Sequence, residues 1–118
     1  MPEMLTFSVN YPVKVQNGGL FISRGIGTHP TRRLSSHELI YVVRGSLSLQ
    51  EENTRFDLHT GESLLLFPGR EHKGVTTFDP DLKFYWLHFD IVEDIAIIKP
   101  QQNSPSLQLN IPQHFKVR

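Results

Sequence analysis

Histidine, aromatic and carboxylate side chains are concentrated in a few short runs of this 118-residue chain. The densest run is 82–91 (LKFYWLHFDI), which holds the sole tryptophan. Alternation along an extended strand puts Phe84, Trp86 and His88 on one face, and Tyr85, Leu87 and Phe89 on the other. A neutral imidazole offers one donor and one acceptor, so His88 suits a hydroxyl-binding pocket or a satisfied place in a core. Trp86 reads as the largest side chain of the core. Glu38 opens the run ELIYVV, as a pocket carboxylate or as a strand-end group paired with an arginine. Tyr41 points opposite to Glu38, Ile40 and Val42, onto an outer packing face. His72 and Lys73 follow Pro68-Gly69, where a polar pair would meet a hydroxyl or a carboxylate; Lys73 fits a solvated loop charge as well. Arg32 and Arg33 lie just before Glu38 and read as a surface pair.

Several chemistries are excluded. Without cysteine there is no disulfide, thiolate metal site or thiol nucleophile. Neither a nucleophile elbow, a phosphate loop nor a zinc-helix motif is present. Twelve basic residues balance twelve acidic ones, so the basic surplus that phosphate backbones demand is missing. The opening MPEMLTFSVN has no basic start and apolar run, so it does not read as a secretory signal. No apolar stretch approaches the roughly 18 residues of a membrane span. These features place the expected protein in the cytoplasm.

The elements that must position these residues are strands. The run 38–43 ends at Arg44-Gly45, and 46–49 then alternates strictly. A polar turn at 51–54 leads to a second alternating run, 55–58. Thr60-Gly61 turns the chain into the apolar strand 62–67, and Asp79-Pro80-Asp81 precedes 82–91. Shorter strands are expected at 11–15 and 20–24, around an Asn17-Gly18-Gly19 turn. Strands at this spacing indicate a sandwich or closed barrel. Segment 92–98 (VEDIAII) reads as a short helix after the barrel, although a strand fits almost as well. Residues 99–106 are proline-rich and polar, as a linker would be.

Two motifs resemble those of cupin barrels. Glu38 and Gly45 are separated by six residues, and Gly61, Gly69 and His72 fall in the spacing of the second motif, with Phe67 at its usual proline position. The resemblance implies an all-β, double-stranded jelly-roll barrel. Catalytic cupins hold iron, manganese or zinc with a His-x-His pair, the glutamate and the later histidine. Here Thr31, Arg32, Arg33 and Leu34 stand where the pair should be, and His29 and His37 are out of register. Two ligands, Glu38 and His72, do not hold a catalytic ion, so no metal or other cofactor is expected.

The runs ELIYVVRGSLSL, GESLLLFPGREHKG and FYWLHFD further resemble the amino-terminal sensing domain of AraC-like transcription regulators. That resemblance implies an effector-binding barrel over 1–98, its ligand a sugar or other small metabolite. It also implies that 99–118 is a linker and the start of a region that would make a homodimer and bind DNA. Phe84, Trp86, His88, His72, Lys73, Glu38 and Arg33 are the expected ligand contacts. A metal-dependent cupin enzyme, such as a sugar isomerase or dioxygenase, is the alternative; an enzyme is not the expectation.

Overall fold

Alternation of apolar and polar residues at period two is the dominant signal of the chain, and it is realised as strands throughout. The computed structural model describes residues 3–8, 13–92 and 108–117. In chain order the strands are β1 (Met4–Ser8), β2 (Val13–Ile22), β3 (Arg32–Arg33), β4 (His37–Arg44), β5 (Ser46–Glu51) and β6 (Thr54–His59). They are followed by β7 (Glu62–Leu66), β8 (Glu71–Gly74), β9 (Lys83–Ile91), β10 (Gln108–Pro112) and β11 (His114–Lys116). Among the described residues there is no helix, and none long and apolar enough to cross a membrane.

A five-stranded sheet, β11-β7-β4-β9-β2, faces a four-stranded sheet, β3-β8-β5-β6, and all their pairings are antiparallel. This is the cupin jelly roll expected from the sequence. On β4 the inward residues Glu38, Ile40 and Val42 are buried, while Tyr41 lies on the outer face as expected. Leu49 and Leu58 reach inward from the opposite sheet to complete the main core. Burying each such side chain is worth about 1.5–3 kcal/mol.

Strand β7 is buried on both faces, which accounts for its unbroken apolar run. Leu64 and Leu66 enter the main core, whereas Leu65 packs outward against Leu5 and Phe89. That second cluster is roofed by the two-stranded sheet of β1 and β10, in which Met4 lies opposite Pro112.

Three expectations meet a different outcome. Asn17-Gly18-Gly19 is no turn: β2 runs continuously from Val13 to Ile22, with a register shift between Val15 and Asn17. The glycines serve close approach instead, since a Cβ on Gly19 would lie 2.8 Å from the Trp86 ring. Within the expected linker 99–118, residues 108–112 and 114–116 are strands, β10 pairing with β1 and β11 with β7. The short helix expected over 92–98 lies outside the described residues, apart from Val92.

Candidate functional site

The barrel interior divides into an apolar part and a polar part. Past Ile40, the next inward position of β4 is Glu38, and its cross-strand partner on β9 is His88. Glu38 also lies across from Leu66 of β7. Phe84, Trp86 and His88 face the same interior, as the alternation of β9 predicts, and Trp86 and His88 have ring centroids 5.1 Å apart. Together with Asn17, Phe21, His29, Pro30, Arg32, Glu38 and Phe78, they line a cavity of about 410 Å³. Apolar walls with a few convergent polar groups are the usual make-up of a small-molecule site.

His72 lies deeper, 1% exposed on β8, and its ring centroid is 5.3 Å from that of His29. The sequence had set His29 aside as out of register. It arrives through the loop before β3, which packs on β8 at Gly74. The Gly74 N–H donates to the His29 carbonyl at 3.0 Å, and a Cβ on Gly74 would stand 2.6 Å from the His29 nitrogen. Only glycine permits that approach.

The result is a polar cluster with few internal partners. One potential ligand atom from each of His29, Glu38 and His72 lies within 4.8 Å of the others. Glu38 Oε1 is 3.5 Å from Nε2 of His72 and 3.5 Å from Nε2 of His88. Among the described residues, these three buried atoms have no hydrogen-bond partner. Burial pushes the Glu38 carboxyl up to about 7, partly opposed by the Arg32 charge. Burial, followed by the neighbouring His29, Arg32 and His88, holds His72 down at about 4. His29 and His88 are lowered too, chiefly by burial. The three rings are therefore neutral near pH 7, with lone pairs free to accept or to ligate.

The expected contacts divide accordingly. Glu38, His72, Phe84, Trp86 and His88 are brought together. Lys73 is not: β8 alternates, so its side chain is exposed on the face opposite His72. Arg33 is also directed away. Its guanidinium donates to the Gly69 carbonyl and pairs with Glu52 at 3.4 Å, because the two-residue β3 sends Arg32 and Arg33 to opposite faces. Arg32 is the arginine that lines the cavity. The expectation of only two metal-ligand types here, Glu38 and His72, is likewise changed, since His29 and His88 join them.

A cupin barrel with an internal cavity of this kind is a ligand-binding barrel. The comparisons with known proteins agree and give its family. The model of the AraC-like ligand binding domain matches residues 23–115. An uncharacterised HTH-type transcriptional regulator, YisR of Bacillus subtilis (strain 168), is 40% identical over 90 residues, covering 76% of this chain and 31% of that protein. This chain thus spans under a third of that relative. Solved structures share the fold. YhaK of Escherichia coli has a TM-score of 0.58 at 17% identity, over 98% of this chain and 51% of that one. KdgF from Halomonas sp. has a TM-score of 0.55 at 17% identity, over 78% and 83%. The S161A mutant of Bacillus subtilis oxalate decarboxylase OxdC has a TM-score of 0.55 at 13% identity, over 92% and 33%. The chain belongs to the family of AraC-like ligand-binding domains of transcription regulators.

Proposed function

We propose that this domain senses a small molecule, a sugar or another small metabolite, in the cavity between Trp86 and Arg32, and that it is not an enzyme. The carrying observation is the cavity itself: the aromatic rings of Phe21, Phe84 and Trp86 line it together with the polar groups of Arg32, Glu38 and His88. An indole stacks on the apolar face of a sugar ring, while the guanidinium and imidazole supply directional polar contacts. DNA contact and homodimer formation in the whole regulator fall to residues outside this barrel. A formal charge of zero and the absence of any helix among the described residues support that division. The domain acts in the cytoplasm.

The test is a thermal-shift screen of sugars and small metabolites, followed by fluorescence titration of each hit. Trp86, the only tryptophan, reports directly on the cavity. Trp86→Phe keeps a ring and should stay folded by circular dichroism. Its affinity for the hit should fall about tenfold, or about 1.4 kcal/mol. Unchanged affinity in that variant would put the ligand elsewhere and end this reading of the cavity.

A further inference from the structure

We propose that His29, Glu38, His72 and His88 form a binding site for one divalent first-row transition-metal ion at the floor of the cavity. The proposal goes beyond effector sensing and does not depend on it. Its first support is spacing. Nε2 of His72 and Nε2 of His88 each stand 3.5 Å from Glu38 Oε1, too far for a good hydrogen bond. Ligands about 2.1 Å from a tetrahedral ion lie about 3.4 Å from one another. The separation that fails as a hydrogen bond therefore suits two ligands sharing an ion.

A second support is the unmet bonding capacity. Glu38 Oε1, His72 Nε2 and His88 Nε2 are all buried and, among the described residues, all without a partner. Buried polar atoms are nearly always satisfied, and three orphans converging on one place suit an occupant that accepts electron pairs from all of them. An ion supplies all three at once, whereas at 3.5 Å neither imidazole gives the Glu38 oxygen a good hydrogen bond in either tautomer.

The third support lies in the outer contacts. His29 Nδ1 is 3.0 Å from the Pro30 carbonyl, to which it donates as Nδ1–H. That fixes the tautomer and leaves its Nε2 with the lone pair, the usual outer-shell device of ligating histidines. Three imidazoles and a carboxylate, without thiolate, favour ions such as zinc, iron, manganese, cobalt or nickel over magnesium or calcium. Arg32, on the wall of the same cavity, adds positive charge beside the ion. An effector group carrying negative charge would offset both and take the open coordination position.

The chelator-stripped, untagged 118-residue chain is titrated with Co²⁺, followed by visible absorption and by Trp86 emission. The expected result is saturation at one Co²⁺ per chain with quenching of Trp86, whose ring centroid lies 5.1 Å from that of His88. His72→Gln and Glu38→Gln should weaken binding by about 100-fold or more, since even outer-shell partners cost 10–100-fold. His37→Gln, on the outer face of β4 with its ring 5.1 Å from that of Phe89, should bind as the parent does. Failure to saturate below millimolar Co²⁺ overturns the proposal, as does saturation that leaves Trp86 emission untouched. Both readouts use the parent chain, so they decide the question even if a variant fails to fold. If Co²⁺ fails to saturate while a metabolite still binds the metal-free chain, the metal site falls and the sensing role stands.

Discussion

Two carboxylates are buried almost equally, Glu38 at 2% and Glu51 at 3% exposure, and they are treated in opposite ways. Glu51, at the end of β5, has its needs met. Its Oε1 accepts from Gln113 Nε2 at 2.7 Å and from Arg70 at 3.2 Å, and its Oε2 accepts from the Phe67 backbone N–H at 2.8 Å. Glu38 has an orphaned oxygen and two neutral imidazoles for neighbours. Both border spaces of similar size, about 400 Å³ beside Glu51 and about 410 Å³ beside Glu38. Cavity size therefore does not separate a structural carboxylate from a functional one; the count of unmet partners does. Glu51 joins strands distant in sequence, and Glu38 keeps an oxygen that no described residue satisfies.

Matched isosteric changes test that contrast most directly. Glu51→Gln must place an NH₂ against donors that now meet oxygen, so urea unfolding should show a loss of about 2–3 kcal/mol. A loss below about 0.5 kcal/mol would mean that the Glu51 network carries no net stability. Gly19→Ala comes next. Its new Cβ would sit 2.8 Å from the Trp86 ring, so we expect a loss of about 1–3 kcal/mol and a shifted Trp86 emission maximum. An unshifted spectrum would show that the indole does not depend on the glycine slot. Glu38→Gln in the metal-free protein replaces a buried carboxyl that burial has pushed up to about 7 and whose Oε1 has no hydrogen-bond partner among the described residues. Its unfolding free energy should not fall by more than about 0.5 kcal/mol, and a rise is compatible with the contrast. A loss matching that of Glu51→Gln would erase the distinction between the two sites. Smallest of all, Lys73→Ala should change stability by less than about 0.5 kcal/mol and leave effector affinity as it was. Weaker effector binding would return Lys73 to the site from which its outward side chain removes it.

Much of this arrangement is written in local sequence. The alternation of 38–43 and 84–89 places Glu38, Trp86 and His88 inside and Tyr41 outside without any knowledge of the sheet. Lys73 and Arg33 were misplaced for a related reason: beside an inward residue, the next side chain on a short strand must point out, and neither β3 nor β8 was recognised as a strand. Other features depend on distant partners. The Gly18-Gly19 pair looks like a turn until the Trp86 indole is laid against it. β10 is legible only through its pairing with β1, across most of the chain's length. His29 enters the cluster because Gly74, far along the chain, lacks a side chain. A glycine inside a short strand, opposite a histidine-bearing loop, is the signal that would have found it.

Strand β2 has one more consequence, for how the domain behaves when concentrated. Among the described residues it forms the outer edge of the five-stranded sheet, and Val13, Val15, Leu20 and Ile22 are exposed along it. Such an edge invites another chain to extend the sheet, the first step toward aggregation. The irregularity between Val15 and Asn17 interrupts this, because an incoming regular strand loses register with β2 at that point. Gly18 and Gly19 then offer it no side chains to pack against, and the charged Lys14 sits on the strand's first half. The feature that accommodates the indole inside thus also guards the sheet against its own copies outside.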